Sequence, residues 1–274
     1  QLKFICLLFT ALFCLPTYAA QLTLELGDTR RSWQTADLLN HPATQEVRIV
    51  DDVSYKRDMT YRAIPVATLL EGLSPDDHVQ AVALDGFAAE LNAAPLLNQH
   101  GAKAWLAIED PEQPWPPLGK GKPGAGPFYL VWTDPQAGHI SPEQWPFQVA
   151  RFKRQQPVAE RFPAMRPDPS LAADAPANQG FVVFQKHCLA CHRLNGAGDA
   201  QFGPDLNIPY NPTEYFGKAF LTRYIRDPQS LRQWPQARMP GFSNEVLTEA
   251  ELAQLIEYLQ HMTTRKVATP ERQP

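Results

Sequence analysis

The chain has 274 residues, with 25 Lys or Arg against 29 Asp or Glu and a formal net charge of −4. That balance offers no basic footprint for nucleic acid or anionic lipid, so nucleic-acid partners are not expected. The length suffices for two hydrophobic cores.

The N-terminus carries Lys3, an apolar run from Phe4 to Leu15, and then Pro16-Thr17-Tyr18-Ala19-Ala20. A charged start, a short apolar stretch and small residues form the pattern of a secretory leader, and the run is short for a membrane span. We therefore expect a signal peptide over 1–20 and a periplasmic or otherwise exported product. Membrane attachment is expected only if the leader is retained as an anchor. Cleavage would remove Cys6 and Cys14 and leave Cys188 and Cys191.

Leu22, Leu24 and Leu26, then Val47 and Ile49, alternate as half-buried strands do, and 79–84, 102–109 and 128–132 read the same way. A short helix is expected from Pro65 to Leu70, with Pro65 in its first turn and Gly72 as its stop. Asp85-Gly86 reads as a turn, and the Pro/Gly-rich stretch from Pro111 to Pro127 as a long irregular loop. Within it, Gly119-Lys120-Gly121-Lys122 lacks the strand-to-helix setting of a phosphate loop. Nothing in the spacing of Arg57, Arg62, His78, His100 and His139 groups them into an anion pocket, and solvated positions are expected for all five. Residues 21–155 thus form an expected α+β domain, mostly β.

Pro157, Pro163, Pro167, Pro169 and Pro176 crowd the next stretch, with few apolar residues at a regular period. Residues 156–177 are read as a linker that permits relative motion of its neighbours. Beyond it the period becomes helical. A helix is expected from Gly180 to His192, and Thr248-Glu249-Ala250-Glu251 is a capping box ahead of Leu252, Leu255, Ile256 and Leu259. Residues 178–267 are expected to be a small all-α domain.

The chemistry concentrates in Cys188-Leu189-Ala190-Cys191-His192. This is the C-x-x-C-H pattern of covalent haem attachment: two thiols three positions apart can each add to a haem vinyl group, and the adjacent imidazole then lies beneath the iron. A zinc site would call for further Cys or His ligands at similar spacing, and a redox dithiol has no need of the trailing His. Downstream follow Gly203-Pro204-Asp205-Leu206, Tyr224-Ile225-Arg226-Asp227-Pro228 and Arg238-Met239-Pro240-Gly241-Phe242.

In this order the motifs resemble class I cytochromes c over about the last ninety residues. The resemblance implies one covalent haem c, with Met239 as the second axial ligand to the iron held by His192. A thioether is a soft, neutral ligand that favours ferrous iron and raises the potential. It also implies that the Pro204 carbonyl accepts a hydrogen bond from His192, that Trp234 and Arg238 serve the haem propionates, and that Gly180 and Phe184 lie where the first helix crosses the last. Met262 is expected to pack, His187 to be unable to reach the far haem face, and His261 to lie at the surface.

The first region is less explicit. Ile64 to Leu70, Leu84-Asp85-Gly86-Phe87, Leu106 to Asp110 and Gly126 to Val131 resemble the molybdopterin-binding domain of sulfite-oxidase-like enzymes. Those enzymes hold molybdenum through a cysteine thiolate, and residues 21–155 contain no cysteine. A molybdopterin cofactor is therefore not expected, and a binding or docking module is. The expected function is that of an exported c-type cytochrome that carries electrons between redox partner proteins, with no catalytic residues of its own. The alternative is a sulfite-dehydrogenase-like oxidoreductase, in which the first domain oxidises a small substrate and passes electrons to the haem.

Overall fold

The structure is a computed structural model, and it describes residues 20–231, 233 and 239–267. The expected leader (all but Ala20), Trp234 and Arg238 lie outside the described residues. Among those described, no helix is long and apolar enough to cross a membrane.

Two sheets build the first region. Strands β1 (Gln21–Leu26), β2 (Thr29–Gln34), β5 (His78–Ala83), β6 (Ala88–Asn92) and β9 (Val149–Gln155) form one, in the order β2-β1-β9-β5-β6. The β1–β9 pair is parallel and its neighbours are antiparallel. Strands β3 (Gln45–Ile49), β4 (Met59–Pro65), β7 (Lys103–Ile108) and β8 (Phe128–Thr133) form the other, wholly antiparallel. The inward residues of both, among them Leu22, Leu24, Val79, Phe152, Tyr61, Ile64, Leu106 and Leu130, share one core. Short helices α1 (Thr35–Leu39), α2 (Val66–Leu69) and α3 (Ala93–Leu97) bridge strands. Pro65 ends β4 and caps α2 instead of entering its first turn.

The alternating apolar strands lie where their pattern predicts. Others were hidden by their polarity: β2 reads Thr-Arg-Arg-Ser-Trp-Gln on an exposed sheet edge, and β9 buries only Val149 and Phe152 among its charges. Such strands are specified by their partners more than by their own side chains. Asp52, fully buried, ties the loop after β3 to the core by accepting hydrogen bonds from the backbone N–H groups of Ser54 and Tyr55 and the hydroxyls of Tyr61 and Tyr129.

The second region is helical: α4 (Val158–Arg161), α5 (Pro176–His187), α6 (Pro212–Tyr215), α7 (Lys218–Arg226), α8 (Pro228–Leu231) and α9 (Glu249–Met262). Helices α5 and α9 cross at Gly180, where a Cβ would stand 1.9 Å from the Gln254 carbonyl oxygen. Only glycine permits that approach. The crossing buries Phe181 and Phe184 against the Tyr258 ring, at centroid distances of 5.4 and 5.5 Å. Met262 is fully buried in the same core.

Residues 156–177 do not hang free between the two regions. Val158 and Met165 are buried in the helical core, and the Met165 carbonyl accepts a 2.7 Å hydrogen bond from the Tyr258 hydroxyl. Arg161 donates to Glu90 on β6 at 2.6 Å and to Asp199 in the helical region at 3.0 Å, and Gln80 on β5 donates to the same two carboxylates. The Arg161–Glu90 pair is buried on both sides, which strengthens it, whereas Asp199 remains half exposed to solvent. The prolines stiffen a strap packed on the helices, where the composition alone suggested a mobile tether.

Candidate functional site

Helix α5 stops at His187, short of the His192 end expected from its pattern. The N–H groups of Cys188 and Leu189 both close on the Phe184 carbonyl, and the chain leaves the helix in a tight turn. The turn is held by bonds to the Cys188 carbonyl from Cys191 at 3.0 Å and His192 at 2.8 Å. Both thiols and the imidazole therefore ride on the turn that follows the helix.

His192 Nδ1 lies 2.8 Å from the Pro204 carbonyl oxygen, as the resemblance implied. A carbonyl can only accept, so Nδ1 carries the proton and Nε2 is left with its lone pair free to bind a metal. Burial pushes the His192 pKa below the ordinary histidine range, against the opposing pull of the Pro204 bond and the Asp205 charge. The ring is accordingly neutral at physiological pH, the form a ligand needs. Its plane is held on one side by Gly203, where a Cβ would come within 2.6 Å of the ring. Asp205 then fixes the loop by accepting from the N–H groups of Asn195, Gly196, Asn207 and Ile208. A ladder of buried asparagines continues the anchor: Asn207 bridges Asn195 and the Met262 carbonyl, and Asn211 bridges Asn207 and the Leu259 carbonyl. The loop thus hangs on orphan carbonyls at the end of α9.

Met239 arrives from a different segment. The adjoining Gly241 passes so close to α7 that a Cβ would stand 2.5 Å from the Arg226 carbonyl oxygen. Arg226 holds the stretch that follows, donating to the carbonyls of Phe242, Ser243 and Leu247 and to Glu249 on α9. Among the described residues, the Phe242 N–H also bonds the Ile225 carbonyl on α7 at 3.2 Å.

Cys188, Cys191, His192 and Met239 all line one cavity of about 640 Å³, whose walls also include Phe216, Leu221, Tyr224, Ile225 and Phe242. That size falls within the ~300–1,000 Å³ span of cofactor sites. Burial pushes both thiols up, Cys191 to about 11 and Cys188 further, with Glu143 adding to each. Reactive redox dithiols and metal thiolates need the opposite shift, so the pair does not have the electrostatics of either. Among the described residues, no cluster of three or more His, Cys, Asp or Glu side chains could cage a metal ion. A largely apolar cavity of this size, lined by two thiols and a neutral imidazole with its Nε2 uncommitted, fits a haem.

Residues 177–263 match the family model of cytochrome c. The match runs from α5 to the end of α9, so this cytochrome c domain brings with it haem c, electron transfer and redox partner proteins in general. No curated protein matches the chain.

Other candidates lie elsewhere. Met262 packs in the core of the cytochrome c domain, and His261 accepts a 3.0 Å hydrogen bond from the Asp168 N–H. In the β region Arg57, Arg62, His100 and His139 are exposed and His78 is half-buried, and none of the five lines the cavity. Sequence reasoning did not find Glu143, which reaches the cavity from the β region, and weighed His187 only as an iron ligand. A lone Glu in a Pro-Glu-Gln turn carries no signal in sequence; only the packing of the two regions brings it there.

Proposed function

We propose that the chain is an exported electron carrier with one haem c, attached through Cys188 and Cys191 and ligated by His192 and Met239. In this reading the Pro204 carbonyl orients the His192 ring, Trp234 and Arg238 face the propionates, and the β region docks onto a redox partner. Residues 1–20 serve as the leader and 21–155 as the docking module, which adopts a sulfite-oxidase-like fold without molybdenum. The observation that carries the reading is the His192–Pro204 bond, which commits Nδ1 and leaves Nε2 as the free donor in a cavity shared with both thiols and Met239.

Bound there, haem c supplies reversible one-electron chemistry at its iron. The protein's residues supply the rest. The Pro204 bond keeps His192 in one tautomer and orientation through a change of iron charge. Met239 would offer the group a soft, neutral thioether, a ligand type that favours the reduced state. The apolar walls at Leu221, Ile225 and Phe242 exclude water, which lowers the reorganisation that each electron transfer requires.

Metal analysis and absorption spectroscopy of protein matured in a host able to attach c-type haem test this. Iron at one per chain without molybdenum, and a sulfur-to-iron band in the ferric spectrum that disappears in Met239→Ala, are the expected results. Stoichiometric molybdenum would replace the carrier with an enzyme, and a band that survives in Met239→Ala would remove Met239 from the iron.

A further inference from the structure

Two side chains in the cavity wall belong to no ligand set, and they come from different halves of the chain. Glu143 sits in the one-turn helix Pro142–Gln144 of the β region, and His187 is the last residue of α5, next to Cys188. Their side chains are 8% and 1% exposed, and Glu143 Oε2 stands 3.6 Å from His187 Nδ1, too far for a sound hydrogen bond. Among the described residues, neither that oxygen nor either ring nitrogen of His187 has a hydrogen-bond partner. Buried polar groups of this kind are costly to leave unmatched, and native proteins keep them where they act.

The groups around them are few. Lys186 lies close enough to Glu143 and Glu251 to feel both charges, and its ammonium donates to the His139 carbonyl at 3.1 Å. Glu251, at the start of α9, faces Lys186 and His187. Asp85 acts on Cys191 from the β region, and Phe242 presents a ring to His187 at 5.6 Å, edge to face. Cys188 and Cys191, which both sense Glu143, are consumed by attachment in the haem reading. Of these groups, only Glu143 and His187 line the cavity with polar atoms that have no partner.

We propose that Glu143 and His187 form a redox-linked proton site that the β region completes. The inference rests on the haem reading above. When one electron enters the iron from a redox partner, the pair takes one proton from water, forming one N–H or O–H bond; when the electron leaves, that bond breaks and the proton returns. The physical cause is that an added negative charge in a low-dielectric cavity favours the more positive state of a titratable neighbour. The coupling is reciprocal, so a proton on the pair raises the potential.

The test is a redox titration of the full-length haem protein across neutral pH, followed by the absorption spectrum. The midpoint is expected to fall as pH rises, approaching ~59 mV per pH unit where one proton accompanies one electron. Glu143→Gln should flatten that slope and leave the visible spectrum unchanged, and His187→Gln should do the same from the other partner should the first variant fail to mature. A coloured wild-type protein with a pH-independent midpoint, or a slope that persists in the variants, overturns the inference and leaves the haem reading standing. A colourless protein overturns the haem reading itself.

Discussion

The two sides of the cavity are held in opposite styles. His192 is backed by a loop in which Asp205, Asn195, Asn207 and Asn211 make many bonds to backbone groups, several of them fully buried and ending on the C-terminus of α9. Among the described residues, the Met239 segment is tied by the Arg226 guanidinium, by a 3.2 Å bond from the Phe242 N–H to the Ile225 carbonyl and by the close approach of Gly241 to α7. Redundant anchoring makes the first side difficult to loosen without unfolding the domain. With fewer such ties, the second side is expected to loosen while the domain remains folded, so displacement of Met239 and loss of the fold should be separable.

Asp205→Ala should produce the largest effect, because four backbone N–H groups lose their acceptor. We expect a loss of about 3 kcal/mol in urea unfolding and a sharp fall in the yield of haem-bearing protein. A change within 0.5 kcal/mol would show that solvent replaces the carboxylate, at variance with its role. Gly241→Val comes next: the side chain must push against the Arg226 carbonyl, costing about 1–3 kcal/mol. Its more telling consequence is spectroscopic, since displacement of the adjoining Met239 should remove the sulfur-to-iron band while haem stays covalently bound. Arg226→Met should cost about 1–2 kcal/mol by leaving the Phe242 and Ser243 carbonyls unmatched, and should lower the reduction potential with the fold retained. If Arg226→Met proved as damaging as Asp205→Ala, the contrast between the two sides would fail.

These contrasts were only partly legible in the sequence. The C-x-x-C-H motif, the Thr248 capping box and Gly180 identify themselves, because attachment chemistry, helix capping and a close crossing each demand particular residue types. The strands rich in Leu, Val and Ile were legible for the same reason. The edge strand β2, the polar β9 and the strap over 156–177 were not, since their conformation is imposed by neighbours distant in sequence. Arg161 illustrates this: among prolines it reads as solvated, yet in the fold it joins Glu90 to Asp199. Glu143 and His187 were illegible as a pair for a similar reason, being separated by more than forty residues and brought together only by the contact between the two regions.

The smallest effect concerns Glu251, at the N-terminal turn of α9. Burial opposes its ionisation, but hydrogen bonds from Thr248 and the nearby Lys186 and His187 hold its carboxyl below the usual glutamate range. A depressed folded-state pKa contributes stability that is present above the unfolded value near ~4.3 and is lost as pH falls through the folded one. Glu251→Ala should therefore cost ~0.5–1 kcal/mol at neutral pH and progressively less under acid, as read from thermal midpoints across pH. An equal cost at every pH would mean that packing, and not charge, is what the residue provides.

The most direct measurement of the central claim is the intact mass of the denatured, acid-extracted chain after production in a host that matures c-type haem. The account predicts a chain heavier by one haem, with the increment abolished in the Cys188→Ala/Cys191→Ala double variant. An unmodified mass for the native sequence, or an increment that persists without the two cysteines, would contradict it.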